Sequence, residues 1–254
     1  MGKLKDRVAI VTGASSGIGQ ATAKLFAQEG AKVVIAARTS ERLGRVAGQI
    51  SQLGGDCLAL PTDISQPHQV EQLVQRTVDR FGRIDILLNN AGALPAPGPL
   101  VDMEEAEWDK VFSVNTKGVY WTVRCVWPLM EKQGNGVIIN TASVIAFKGV
   151  AGMAAYCGSK AAVVMLTRAL ALEGAPLGIR VNCVCPGFID TPMNDWLGSL
   201  QPDREMWLND MHTQIPLERS GTSREIAQAN LFLASDDSSY MTGQTMTLDG
   251  GVMA

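Results

Sequence analysis

Apolar and polar positions along this chain follow two alternating rhythms. Short β-branched runs, which mark strands, fall near residues 8–12, 32–36, 57–60, 84–88, 136–141, 180–184 and 245–248. Between them, apolar residues recurring every three or four positions predict helices over 18–29, 40–53, 66–81, 104–133, 154–173 and 223–234. Strict strand–helix alternation requires parallel strands, because a parallel neighbour is reached only by a long crossover. Runs such as Val33-Val34-Ile35 and Val137-Ile138-Ile139 are apolar on both faces, so helices must cover both sides of the sheet. The pattern predicts an α/β fold: a Rossmann-type, doubly wound parallel sheet of about seven strands.

The rhythm stops between Pro186 and Gly221, where Pro, Gly, Asp and Asn mix with Trp196, Leu197, Met206, Trp207 and Leu208. So long an excursion in a compact α/β domain predicts a substrate lid or binding loop at about 188–220. No internal repeat, low-complexity tract or interdomain linker interrupts the rest. With 254 residues, 46% hydrophobic and 19% charged, the chain is expected to form one domain over 1–254.

The net charge of −3, with no two consecutive basic residues, gives no footprint for nucleic acid or an anionic membrane. A small-molecule partner is expected instead. The first apolar run, Val8 to Val11, is too short for a signal-peptide core or a membrane span, and Asp6 stands where myristoylation requires Ser or Thr. These features predict a cytoplasmic protein. Cys57, Cys125, Cys157, Cys183 and Cys185 are odd in number, contain no C-x-x-C pair, and lie far in sequence from His68 and His212. They read as small, buried, reduced residues and not as metal ligands.

Chemistry first shows at the end of the first strand, Thr12-Gly13-Ala14-Ser15-Ser16-Gly17-Ile18-Gly19, which runs directly into a helix. Glycines there let the backbone turn tightly against a pyrophosphate, whose charge the free N–H groups and dipole of the helix stabilise. Alone the loop is equally a sharp turn or a methyltransferase-like loop. Ligands of such sheets sit beyond the carboxyl ends of the strands, and Asp63, Asn89-Asn90-Ala91-Gly92, Ser143 and Pro186-Gly187 all fall there. Tyr156 and Lys160 are four apart at the start of a long helix, on one face. A free phenol, with a pKa of about 10, is a poor base at neutral pH, and an adjacent ammonium is expected to lower that value.

Together these pieces resemble the short-chain dehydrogenase/reductase family over nearly the whole chain. The matching residues are Thr12 to Gly19, Asp63, Asn89 to Gly92, Asn115, Ser143, Tyr156-x-x-x-Lys160, Pro186-Gly187 and Asp249-Gly250-Gly251. The resemblance implies an NAD(P)(H)-dependent oxidoreductase that interconverts a secondary alcohol and a ketone. It makes Tyr156 the general acid/base and Lys160 the group that tunes it and holds the nicotinamide ribose. Ser143 becomes the donor to the substrate oxygen, and Asn115 the support of Lys160 through a water relay. It also implies that Gly13, Ser15, Ser16, Gly17, Ile18, Gly19, Arg38, Asp63, Ile64, Asn90, Ala91, Gly92, Pro186, Gly187, Ile189 and Thr191 line the cofactor with Tyr156 and Lys160, and that no metal takes part.

Two other functions fit the fold. A nucleotide-binding regulator that has lost catalysis is opposed by the presence of Tyr156, Lys160 and Ser143, and enoyl reduction by the three-residue Tyr-to-Lys gap. Within carbonyl reduction, a 3-oxoacyl thioester reductase stays open. Segments 93–100, 144–153 and 192–211, rich in Trp, Met, Leu and Pro, suit a hydrophobic ketone or alcohol. The second strand ends Ala36-Ala37-Arg38, with no acid where NAD-preferring relatives place one. NADP(H) is therefore the expected cofactor, with NAD(H) as the alternative. Family relatives pair through the helices predicted over 104–133 and 154–173. The polar-free run from Ala161 to Leu166 fits that pairing, and a homotetramer is expected.

Overall fold

The computed structural model describes residues 2–254. Seven parallel strands form one sheet: β1 (Val8–Thr12), β2 (Lys32–Ala37), β3 (Cys57–Pro61), β4 (Ile86–Asn89), β5 (Gly136–Thr141), β6 (Ile179–Pro186) and β9 (Thr245–Leu248), in the order β3-β2-β1-β4-β5-β6-β9. The order reverses between β1 and β4, and a crevice opens there beyond the carboxyl ends of the strands.

Both faces are apolar because alternate residues of each strand enter different cores. Ala9, Val11, Val33 and Ile35 pack with Phe26 of α1 (Gly17–Gln28), Leu43 and Ile50 of α2 (Ser40–Gln52), and Ile226 of α9 (Ser223–Ala234). Ile10, Val34, Leu87 and Ile138 turn the other way, toward Leu73 of α3 (Pro67–Phe81), Val126 of α5 (Gly118–Gln133) and Val163 of α6 (Ala154–Gly174). The segment Ala154–Leu177 is apolar and long enough to match a membrane span. Within it, α6 packs on β6 and carries Lys160 in the interior, so its composition is that of a core helix.

A polar chain crosses the second core. Thr122 of α5 donates to Asn89 Oδ1 (2.7 Å), Asn89 Nδ2 to Asn140 Oδ1 (3.0 Å), and Asn140 Nδ2 to Thr167 Oγ1 of α6 (2.9 Å). All four residues are buried and every link is made, as buried amides require.

The structure departs from the sequence expectation in four places. The helix predicted over 104–133 is interrupted: α4 (Glu105–Phe112) joins α5 through a π-helical turn, Ser113–Lys117, which carries Asn115 inward to 1% exposure. The regular fourth strand begins at Ile86: the Asp85 main chain still bonds to Val8 and Val137, but its side chain takes the Val8 N–H (2.8 Å) and pairs with Arg83. The irregular stretch contains two helices, α7 (Pro192–Ser199) and α8 (Arg204–Thr213), and a two-residue ladder of β7 (Ile189–Asp190) with β8 (Gly221–Thr222). Finally, only Cys183 and Cys185 are buried. Cys57, Cys125 and Cys157 are half-buried: Cys57 opens β3, Cys125 sits midway along α5 on its partly exposed flank, and Cys157 stands in the first turn of α6.

Candidate active site

The crevice at the β1/β4 reversal deepens into a cleft of about 910 Å³. One end is built from the turn between β1 and α1. Gly13 and Gly17 have φ of +65° and +52°, the left-handed region that favours glycine. A Cβ on Gly13 would stand 2.7 Å from Ala91 Cα, and one on Gly19 would stand 2.4 Å from the Gly13 carbonyl oxygen. Asn90 holds this turn from β4, donating through Nδ2 to the carbonyls of Thr12 (3.1 Å) and Gly13 (3.3 Å). Thr12 Oγ1 returns the link by accepting from the N–H groups of Asn90 (3.0 Å) and Ala91 (3.2 Å). Ser16 precedes α1 without capping it, and no acid stands in the first turn. The amino end of the helix therefore offers free N–H donors beside a glycine cradle, which fits a pyrophosphate.

Asp63 lines the same cleft with its carboxylate oriented by Ser65, accepting from its N (2.9 Å) and Oγ (2.7 Å). Arg38 lies at the end of β2, and Arg42, one turn into α2, lines the cleft beside it. Neither forms an ion pair among the described residues. Arg42 was missed in the sequence, although its i+4 spacing from Arg38 across the first turn of α2 is a readable signal.

The other end gathers Ser143, Tyr156 and Lys160. Ser143 follows β5, its Oγ accepting weakly from Ile145 N at 3.4 Å. Tyr156 stands in the first turn of α6, and Lys160 one turn on has its Nζ 5.7 Å from the phenol ring centre. That ammonium donates to the Thr141 carbonyl at 2.8 Å. Burial acts on both groups against their charged forms. It pushes the Tyr156 phenol well above its ordinary value and holds Lys160 down to about 8. The expectation that the lysine lowers the phenol is thus reversed in the protein alone. Desolvation of the ring outweighs an ammonium that is anchored to a carbonyl and not to the phenol oxygen. In this state Tyr156 is a proton donor across the neutral range.

Of the residues expected at the site, Gly13, Ser15, Ser16, Gly17, Ile18, Arg38, Asp63, Ile64, Asn90, Ala91, Gly92, Ser143, Tyr156, Lys160, Pro186, Gly187, Ile189 and Thr191 line one cleft. Gly19 and Asn115 do not. Gly19 is buried beneath the turn, where it makes room for it. Asn115 is buried behind the cleft, where it accepts from Ala93 N (2.7 Å) and donates to the Ala93 carbonyl (2.9 Å) and Ser159 Oγ (3.0 Å). Thr39, Thr62, Lys148, Phe188 and Val252 also line the cleft and were not singled out in the sequence. No cluster of three or more His, Cys, Asp or Glu side chains suited to a metal occurs among the described residues.

A family model described as Enoyl-(Acyl carrier protein) reductase matches residues 13–253. The chain is 43% identical over 251 residues to the 3-oxoacyl-[acyl-carrier-protein] reductase FabG of Thermotoga maritima, covering 99% of both chains. It is 39% identical over 256 residues to the levodione reductase of Leifsonia aquatica, covering 99% of this chain and 96% of the relative. A crystal structure of levodione reductase superposes with a TM-score of 0.95 at 38% identity, covering 98% of each chain. A structure described as a putative short-chain dehydrogenase/reductase from Burkholderia xenovorans gives 0.95 at 36% identity, covering 99% of this chain and 98% of that one.

Proposed function

The chain belongs to the short-chain dehydrogenase/reductase family and is an NAD(P)-dependent oxidoreductase of a small molecule, and from that premise we propose that it interconverts a secondary alcohol and a ketone. The observation that carries the reading is that Ser143, Tyr156 and Lys160 line the same cleft as the glycine turn. A nicotinamide held in this cleft would supply or accept the hydride. Tyr156 gives the proton to the forming alkoxide during reduction and withdraws it from the alcohol during oxidation. Ser143 donates to the substrate oxygen, which favours the developing negative charge. Lys160 holds the nicotinamide ribose and restores the proton on Tyr156, and Asn115 keeps the loop at Ala93 in register with α6. The glycine turn, the amino end of α1, Asp63 and Asn90 hold the rest of the cofactor. The direct test is an activity screen of ketones and alcohols with NADPH and NADH. Cofactor binding without turnover of any of them would favour a nucleotide-binding regulator.

NADP(H) is the preferred cofactor in this reading. Ala37 removes the acid that would repel a 2′-phosphate, and Arg38 with Arg42 offers two unpaired guanidinium groups. The substrate is largely apolar, given walls made by Val144, Met153, Phe188, Met193 and Leu197. A 3-oxoacyl thioester is a second candidate, favoured by the activity named for the Thermotoga maritima relative. The chain acts as one domain, with residues 188–220, including α7 and α8, as the substrate lid. It works in the cytoplasm as a homotetramer, with Met165 and Leu172 exposed on the outer face of α6 as contacts between copies.

A further inference from the structure

The charge around the cleft is unlike that of the whole chain. Arg38, Arg42, Lys110, Lys148 and Lys160 line it against one carboxylate, Asp63, although the protein carries a net charge of −3. Arg38 follows β2, Arg42 stands in the first turn of α2, Lys110 is on α4, and Lys160 is at the reacting end. Lys148 is elsewhere, on the loop that leads from Ser143 to α6. Segments 144–153 and 187–215 supply the walls of the substrate end, and Lys148 is their only charged side chain in the cleft. The other side chains they contribute are mostly apolar, and Asn194 is already committed to the Ile189 carbonyl (2.7 Å).

The loop that carries Lys148 is held at both ends. Ala146 N donates to the Ser143 carbonyl (3.0 Å) and Met153 N to the Val150 carbonyl (3.1 Å). From the loop after β4, Gly98 N donates to the Gly152 carbonyl (3.0 Å). Lys148 itself is exposed, and no carboxylate lies within ion-pair distance of it among the described residues. Its neighbours Phe147 and Val150 are 47% and 41% exposed, so apolar side chains flank the ammonium at the rim. An unpaired cation on a tethered loop, five residues from the oxygen-binding serine and on a wall with no other charge, selects ligands by charge at one end only.

We propose that Lys148 is an anion-binding handle of the substrate end, and that the ketone or alcohol taken by this enzyme carries a carboxylate or phosphate remote from its reacting carbon. The inference rests on the alcohol/ketone reading above. It makes the substrate amphiphilic: an apolar body against Val144, Met153, Phe188 and Leu197, with a charged end at the rim. Since the contact lies at the surface, its strength falls as salt screens it.

Two matched pairs of ketones test this, 4-oxocyclohexanecarboxylate against its methyl ester, and acetoacetyl-coenzyme A against ethyl acetoacetate. The first pair isolates a carboxylate and the second a phosphate-bearing tail. The readout is the ratio of kcat/KM for the charged over the neutral member, in the parent, Lys148→Gln and Lys148→Glu, at low and high salt. The ratio is expected to exceed one for at least one pair in the parent. It should fall about fivefold in Lys148→Gln, the scale of one exposed ion pair, and below one in Lys148→Glu. The change should appear in KM more than in kcat and shrink at high salt. A ratio that is the same in all three proteins, or a parent that favours both neutral members, overturns the handle and leaves the alcohol/ketone reading standing. Reduction of none of the four, with no turnover of any ketone or alcohol in the screen above, removes that reading, and the handle with it.

Discussion

Asn115 closes its side-chain amide on the main chain of Ala93, accepting from its nitrogen at 2.7 Å and donating to its carbonyl at 2.9 Å. The π-helical turn between α4 and α5 delivers this side chain, and Ser159 on α6 takes its remaining proton. The pair therefore ties the loop after β4 to the helix that carries Tyr156 and Lys160.

Asn115→Ala strands the half-buried N–H of Ala93 and leaves Ser159 without its donor. We expect a loss of about 2–3 kcal/mol in urea unfolding, with a lower kcat. Full stability with lost turnover would mean that Asn115 acts on the chemistry and not on the loop.

Tyr156→Phe keeps the ring and removes only the hydroxyl. Turnover should fall about 100-fold or more, while the Kd for NADPH, read by fluorescence titration, changes little. Retained turnover would remove the proton-transfer role.

The directions in which burial moves Tyr156 and Lys160 set the pH dependence. Because the phenol is pushed up, it stays protonated through neutral pH, so ketone reduction should be flat there while alcohol oxidation climbs with pH. Lys160, held down to about 8, loses its charge as pH rises through that value. Its contribution to cofactor binding is present below about pH 8 and lost above it, and the Kd for NADPH should rise accordingly. In Lys160→Met that rise should vanish, whereas an unchanged pH profile would exclude the ammonium from the cofactor site.

For cofactor choice, one charge-assisted hydrogen bond supports roughly a 10- to 150-fold preference. Ala37→Asp with Arg38→Leu should therefore move the ratio of kcat/KM for NADPH over NADH toward NADH by about that factor. Arg42→Gln alone should move it the same way by less. A parent that already favours NADH would reverse the assignment.

Gly19→Ala needs a Cβ 2.4 Å from the Gly13 carbonyl oxygen, a contact that no side-chain motion relieves. The turn must open, so cofactor binding should be lost while the far-ultraviolet circular dichroism of the fold remains. Unchanged affinity would place the cofactor elsewhere.

The sheet was legible in the sequence because buried parallel strands are apolar on both faces, and Val33-Val34-Ile35 allows few other readings. Tyr156, Lys160, Ser143 and the glycine turn were legible because each lies at a strand end or helix start that the rhythm itself marks. Helices α7 and α8 were hidden: each is short, and Asp and Pro at their starts read as loop until Asp203 is seen accepting from Met206 N. The π-helical turn leaves no trace in a periodicity that continues on either side of it. The direction of the Tyr156 shift was not legible either, since spacing brings Lys160 near but cannot show how far the surrounding protein desolvates each group.

The chain of Thr122, Asn89, Asn140 and Thr167 bears on how the strands find each other. Central strands that are apolar on both faces can slide along a partner without moving any hydrophobic residue into water, so hydrophobicity alone specifies their alignment weakly. Asn89 opposite Asn140 breaks that degeneracy, because only the native alignment of β4 on β5 joins the two amides. A slip of one residue would leave both inside the core without partners, at a cost of about 1–3 kcal/mol for each. The asparagines thus serve as an alignment key for the middle of the sheet.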